Sequence, residues 1–271
     1  MLEVSRSGYY DWLRRQDAPA GPRAAQAAVL VAAIREIHQQ FRYYGSPRVH
    51  AELVARNHHV GRHRAARLMR LHGISAQRGK VKFKPRAAPV TRRPDLVDLV
   101  RRDFRVAVPD TLWFTDITQI RTGQGWLYAA VILDAFNREV VSWAVEDQDN
   151  PRTVMRAFAD AIDIRRPPRG CRIHSDRGYQ FTSHDWSAIA ALHGFRISIG
   201  ERKSCYDNAA MESWFASFKT EEIYPNGQPF TRAEARTRLF NYIWTYNHTR
   251  LHSSLGYQPP ISYAASASTC P

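Results

Sequence analysis

Two strand-like segments joined by a short turn constrain the fold of this chain most strongly. Residues 111–121 (TLWFTDITQIR) and 126–134 (WLYAAVILD) are rich in β-branched and aromatic residues, and a turn at 122–125 (TGQG) separates them. A third strand is predicted from Val140 to Val145, after a turn at 137–138. The pattern therefore predicts three consecutive antiparallel strands.

The segments that follow alternate between helix and strand. Helices are predicted over residues 151–164, 183–193 and 208–222, and short strands over residues 171–174 and 196–199. Antiparallel strands followed by such an alternation indicate an α/β core built on a mixed sheet.

The first third of the chain is predicted to be helical instead. A helix over residues 24–41 precedes a second helix over 48–57, for which Ser46 and Pro47 are placed as the N-cap and first-turn residues. A third helix over 62–72 is closed by Gly73. Two short helices around a tight connection predict a small helix-turn-helix region.

The predicted helix over residues 62–72 has an apolar side and a basic side. Ala65, Leu68 and Met69 recur at the spacing that suits packing. Four arginines are left for the outer face, where they suit contact with DNA phosphates and the major groove: Arg62, Arg64, Arg67 and Arg70. The alternative interpretation is a solvated helix with scattered arginines.

The net charge of +14 lies in the first third of the chain. Residues 1–94 carry 19 Lys and Arg against 5 Asp and Glu, whereas residues 95–271 carry 20 of each. A basic front before a neutral body indicates nucleic-acid binding followed by another activity. A GC-rich genome would also raise the arginine content, but it does not explain why acidic residues are scarce only at the front.

A proline-containing basic segment separates the two parts. Residues 79–94 lack periodicity and are rich in Lys and Arg. They predict an extended linker lying along nucleic acid, in which Lys80, Lys82 and Lys84 are candidate DNA ligands.

Other features restrict the cellular setting. The three cysteines have no CxxC spacing, which argues against a disulfide framework and against a cysteine-rich zinc site. The longest apolar run, residues 126–133, is too short to span a bilayer, and no secretory leader opens the chain. A cytoplasmic protein that does not enter a membrane is therefore expected.

Three acidic residues are candidates for chemistry. Asp116 lies inside the first predicted strand, where a carboxylate is costly unless it is paired or bound to a cation. Asp176 directly follows the fourth strand, and Glu212 lies early in the helix over 208–222, after 35 intervening residues. Carboxylates without Cys or His partners are hard oxygen ligands, which suit Mg²⁺ or Mn²⁺ rather than zinc.

Each acid also has a structural interpretation. Glu212 alone would be a solvated helix residue, and Asp176 before Arg177-Gly178 would be a turn or cap residue. Asp134 and Asp207 compete for the same roles. Asp116 is the hardest to explain structurally, because it lies between apolar and aromatic neighbours in mid-strand.

The motifs around these acids resemble the DDE transposases of insertion sequences, above all the OrfB proteins of the insertion-sequence three family, which are relatives of retroviral integrase. The resemblance covers most of the chain. It rests on five motifs in order: YGSPRVH at 44–50 with RLMR at 67–70, WFTDIT at 113–118, HSDRGYQF at 174–181, DNAAMES at 207–213, and YNH at 246–248 with LGYQP at 255–259.

The resemblance implies a fold and a set of boundaries. It implies an RNase H-like mixed-sheet catalytic core preceded by a small all-helical DNA-binding region. We assign residues 1–78 to the helical helix-turn-helix-like region, 79–104 to the basic linker, and 105–265 to the core with its C-terminal helices.

The resemblance also implies the activity. Asp116, Asp176 and Glu212 would hold two divalent ions for DNA cleavage and for strand transfer by 3′-OH attack, without zinc. Lys219, seven residues after Glu212, would contact a DNA phosphate, and Asn208 would cap the helix that carries Glu212.

The partners implied are double-stranded DNA, OrfA as a frameshift fusion and further copies of the chain on DNA, in a bacterial, nucleoid-associated setting. Two other functions remain open at this point. One is a structure-selective nuclease of the same fold, and the other is a DNA-binding regulator whose core is a decayed relic.

Overall fold

The computed structural model describes residues 5–17, 21–77, 79, 93, 95–200 and 208–268, and it divides the chain into two units at the boundary between Gln77 and Arg78. Within its described residues, the first unit contains four helices: α1 (Arg6–Asp17), α2 (Pro22–Gln40), α3 (Ser46–Ala55) and α4 (Arg62–Leu71). No helix in the described ranges is long and apolar enough to cross a membrane.

Aliphatic side chains build the interior of the helical unit. Leu30, Ile34 and Ile37 of α2 are buried, as is Leu53 of α3. The structure confirms the predicted helices but starts α3 earlier, because Gly45 is the N-cap residue and Ser46 already belongs to the helix. No side chain caps α3, so the predicted capping role of Ser46 is wrong.

A mixed five-stranded sheet forms the second unit, which we call the core unit. Its strands are β1 (Leu112–Thr122), β2 (Gly125–Asp134), β3 (Val140–Glu146), β4 (Arg172–Ser175) and β5 (Arg196–Ile199), and their order is β3-β2-β1-β4-β5. The first three strands are antiparallel, whereas β4 is parallel to both β1 and β5. The predicted mixed sheet is therefore confirmed.

Helices pack on the sheet through two hydrophobic clusters. One cluster joins buried residues of the sheet to those of α5 (Pro151–Arg165) and α6 (His184–Leu192). The other joins the sheet to α7 (Ala209–Phe218) and α8 (Arg232–His248). A π-helix over Lys219–Ile223 continues α7, and α9 (Pro260–Ser268) ends the described chain.

The end of the predicted linker belongs to the core unit. Ile199 of β5 donates a backbone hydrogen bond of 3.1 Å to the carbonyl of Val97, and Val100 is buried in the core. Phe104 packs edge-to-face on Phe114, with 5.4 Å between ring centroids. Val97, Val100 and Phe104, which the sequence assigns to the linker, thus contact the core unit. Lys80, Lys82 and Lys84 lie outside the described residues.

Candidate active site

The central strand carries Asp116 at the point where it loses one neighbour. β1 pairs with β2 along its length, but with β4 only through Leu112–Phe114. Asp116 lies two residues beyond that pairing, is half-buried, and accepts a 2.7 Å hydrogen bond at Oδ1 from the backbone N–H of Ile117. The end of the β1–β4 pairing thus places a carboxylate in an opening of the sheet.

Asp176 lies beside this opening, directly after β4. Its Oδ1 accepts a 2.9 Å hydrogen bond from the backbone N–H of Gly178, which fixes the carboxylate at the start of the following turn. Because β1 and β4 are parallel and adjacent, residues just beyond their paired segment are brought to the same edge of the sheet.

Glu212 is exposed in the first turn of α7. Asn208 occupies the N-cap position of this helix, but its side chain does not cap it, so that prediction is wrong. Its Nδ2 instead donates to the backbone carbonyl of Thr115 at 3.3 Å. The buried amide therefore ties the start of α7 to the residue that precedes Asp116.

Asp176 and Glu212 act electrostatically on Asp116. Burial raises the pKa of Asp116 well above its usual range, the negative charges of Asp176 and Glu212 raise it further, and the Ile117 N–H and Lys219 oppose the rise. Burial also raises the pKa of Asp176 and of Glu212. Ionisation of the cluster is therefore unfavourable on its own, and a bound cation would reverse that penalty.

An oxygen-only donor set of this kind fits Mg²⁺ or Mn²⁺. Within the described ranges, no three His, Cys, Asp or Glu side chains are close enough together to hold a metal ion. Asp116, Asp176 and Glu212 thus share one electrostatic neighbourhood without forming a closed ligand set.

Lys219 is the cation nearest in sequence to Glu212 on the same helical segment. It is half-buried at the start of the π-helix; burial lowers its pKa, and the charge of Asp116 opposes that decrease. Lys219 thus lies within electrostatic reach of Asp116. π-helical turns often occur at functional sites because they shift the direction of the side chains that follow.

A buried ion pair that the sequence did not reveal holds this π-helix. Glu221 accepts two 2.7 Å hydrogen bonds from Arg250, whose side chain is 3% exposed against 1% for Glu221. Tyr242 of α8 donates to Glu221 at 3.1 Å, and Arg250 also reaches Ser217 of α7 at 3.4 Å. Arg250 falls within the C-terminal motif, but nothing in the sequence points to a partner 29 residues earlier.

The competing acid Asp134 has a structural role. It is fully buried, and its two oxygens accept hydrogen bonds from the backbone N–H groups of Phe136 (2.9 Å) and Asp110 (3.0 Å). Burial raises its pKa to about 6. Asp134 therefore holds the chain at the end of β2, and Asp207 lies outside the described residues.

The arginines of α4 divide into two groups. Arg62, Arg67 and Arg70 are exposed, as predicted for an outer face. Arg64 is half-buried and donates two 3.1 Å hydrogen bonds to Oε1 of Gln26. Part of its guanidinium is therefore used within the helical unit, and its contact with DNA stays a prediction, as it does for the other three arginines.

Family models match both units. Two models described as integrase core domain match residues 107–205 and 193–260, and one described as HTH-like domain matches residues 25–82. The matches confirm the predicted integrase-like core and the helix-turn-helix-like region before it.

Relatives match along nearly the whole chain. Transposase InsF for insertion sequence IS3A of Escherichia coli strain K12 is 34% identical over 97% of this chain and 91% of its own. The insertion element IS600 uncharacterized 31 kDa protein of Shigella sonnei is 32% identical over 96% of this chain and 94% of its own.

A solved structure shares the fold. A chain in the cryo-EM structure of the simian T-cell lymphotropic virus intasome in complex with PP2A regulatory subunit B56 gamma is 15% identical. The match covers 88% of this chain and 76% of the other, with a TM-score of 0.53.

Proposed function

Because this chain belongs to the IS3 family of insertion-sequence transposases, we propose that it cleaves and joins DNA strands by metal-dependent phosphodiester chemistry at Asp116, Asp176 and Glu212. The observation that carries the proposal is a half-buried carboxylate in the central strand whose pKa is raised by burial and further by the charges of two other carboxylates. Such a cluster is unfavourable for folding and is typical of a functional site.

The three carboxylates would hold two Mg²⁺ or Mn²⁺ ions. Bound in pairs, such ions stabilise the attacking and the leaving oxygen of a phosphodiester displacement. The protein orients Asp116 through the Ile117 N–H and Asp176 through the Gly178 N–H. The hydrogen bond from Asn208 to the Thr115 carbonyl holds the start of α7, the helix that carries Glu212, against β1.

The reaction has two steps on DNA. Water attacks the phosphorus at the element end and the bond to the 3′ oxygen breaks, which frees a 3′-OH. That 3′-OH then attacks a phosphodiester of the target, a new ester forms and the target strand is cut. Lys219 would bind a phosphate oxygen beside the reacting group.

DNA would be held by the exposed arginines of α4, Arg62, Arg67 and Arg70, and by the basic segment that contains Lys80, Lys82 and Lys84. OrfA, joined as a frameshift fusion, would add recognition of the element ends. We expect several copies to assemble on DNA in the bacterial cytoplasm, associated with the nucleoid.

A cleavage and joining assay on candidate terminal repeats, with and without an OrfA fusion, tests this function. Joining of pre-cleaved 3′-OH ends to a target in Mg²⁺ is expected for a transposase, whereas cleavage without joining would indicate a nuclease. Calorimetry tests the regulator: saturable Mg²⁺ or Mn²⁺ binding is expected, and its absence would favour a relic core.

A further inference from the structure

A cavity of about 840 Å³ lies in the core unit next to the candidate active site. It is lined by the β1–β2 hairpin, by the π-helix with the segment after it, and by Gly79, which lies against Tyr224. The residues that matter here are Gln119, Arg121, Trp126, Lys219, Tyr224 and Gln228. The family likeness assigns none of these except Lys219 a role.

The cavity is adjacent to the reacting centre. Gln119 and Arg121 follow Asp116 on β1 by three and five residues, which corresponds to about 10 and 17 Å along a strand. Both lie beyond the β1–β4 pairing, where β1 no longer pairs with β4. Because side chains alternate along a strand, they lie on the other face of β1 from Asp116, and the cavity approaches Asp116 through Lys219. Lys219 lines the cavity and also lies within electrostatic reach of Asp116. A phosphate bound at Asp116 would therefore be separated from this part of the cavity by the length of one or a few nucleotides.

The lining has the chemistry that binds single-stranded nucleic acid. Trp126 and Tyr224 keep 45% and 40% of their surface exposed, so part of each ring is available to a ligand. Ring faces stack on nucleobases of any sequence, and cations beside them bind the phosphates. Arg121 and Lys219 supply these cations, and the described lining residues include no acid.

The occupant is therefore a nucleotide whose base is free to stack. Bases inside a duplex stack on one another and cannot enter a protein cavity, so the strand must be locally unpaired. The amides of Gln119 and Gln228 can donate to and accept from the edge of such a base. An acidic or purely apolar peptide would match this mixture of cations and rings less well.

We propose that this cavity binds an unpaired nucleotide of the DNA strand next to the scissile phosphodiester. The base stacks on Trp126 and Tyr224, and the phosphates lie against Arg121 and Lys219. The inference rests on the proposed function for the identity of the strand, and it adds local melting of the DNA end to the reaction.

Fluorescence anisotropy of the full chain in EDTA tests the proposal without any cleavage. The probes are a fully paired duplex and the same duplex ending in a fork with a three-thymidine single-stranded tail. Trp126→Ala and Tyr224→Ala are each expected to lower affinity for the fork about ten-fold and to leave affinity for the paired duplex within two-fold. Trp244→Ala is the matched control, because Trp244 is 52% exposed on α8 and does not line the cavity.

A tail that lacks bases separates stacking from charge. With abasic residues in the tail, the wild-type protein should lose its preference for the fork, and Trp126→Ala should cause no further loss. Equal effects of Trp126→Ala on both probes, or no effect on either, would overturn the proposal. If strand joining fails while the fork preference persists, the proposed function falls and the nucleotide site stands.

Discussion

The two units of this protein use charge in opposite ways. Where burial is described, every buried residue of the helical unit is hydrophobic, and its arginines lie at or near the surface. The core unit buries Asp134, Glu221 and Arg250 and half-buries Asp116 and Asp176. Charge at a surface costs little and attracts a polyanion, whereas buried charge costs stability and is retained where it positions groups or binds cations.

This difference between the units predicts which property a charge-removing substitution changes. Removing a charge from the helical unit should change DNA affinity and its salt dependence, with little effect on folding. Removing a charge from the core unit should change folding or chemistry. The following experiments test this division, beginning with the largest expected effect.

Arg250→Met should destabilise the core unit by about 3–5 kcal/mol, because it leaves the Glu221 carboxylate buried without its partner. Urea unfolding followed by tryptophan fluorescence reports it, since Trp113, Trp186 and Trp214 are buried in this unit. The double variant Glu221→Met with Arg250→Met should recover most of the loss.

Arg56→Met in the helical unit is the matched control. Arg56 pairs with the 73%-exposed Glu36 at 3.0 Å and with Glu52 at 3.6 Å, and it keeps 29% of its own side chain exposed. Because water reaches both pairs, the loss should be about 0–1 kcal/mol. A loss from Arg56→Met as large as that from Arg250→Met would break the contrast between the units.

Asp134 should make the stability of the core unit depend on pH. Its pKa is about 6 in the folded protein against 3.8 ordinarily, so the folded state binds the proton more tightly. Its contribution is fully present below pH 3.8 and is lost as pH rises through 6, by roughly 2–3 kcal/mol. The difference in unfolding free energy between wild type and Asp134→Asn, measured from pH 4 to 7, should show this slope; a constant difference would contradict it.

Substitutions on α4 should have the smallest effects. Arg62→Ala, Arg67→Ala and Arg70→Ala should each weaken DNA binding and reduce the slope of log affinity against log salt by about 1. Arg64→Ala should reduce the slope less, because its guanidinium already bonds Gln26. Salt titrations of DNA binding by all four variants test this difference. An equal reduction of the slope in all four would place Arg64 with the others on the DNA-facing surface.

Local patterns predicted much of the fold. The strand from Arg196 to Ile199 is predicted at its observed bounds, because apolar and polar residues alternate there, and β2 is predicted within one residue, because a short apolar run lies between turn signals. The predicted helix over 208–222 is interrupted by the π-helix from Lys219 onward. That segment is in contact with distant parts of the chain, because Glu221 pairs with Arg250 and Ile223 packs on the cluster that includes α8.

The acids of the candidate site could be predicted for a similar reason. Asp116 is conspicuous because its neighbours along the strand are apolar, and that contrast is local. The bond between Asn208 and the Thr115 carbonyl is not local, since 93 residues separate the two. Helix-capping preference alone predicts that Asn208 caps α7, but in the tertiary structure its side chain bonds the Thr115 carbonyl instead.

Strand cleavage by Asp116→Asn tests the central claim most directly. Because burial and two neighbouring carboxylates make an ionised Asp116 unfavourable, the neutral and nearly isosteric asparagine should leave the fold at least as stable. In Mg²⁺, the variant should bind terminal-repeat DNA with nearly wild-type affinity, while cleavage falls to the level seen without protein. Cleavage of element ends by Asp116→Asn at a rate near that of the wild type would contradict the assignment of the chemistry to this carboxylate cluster.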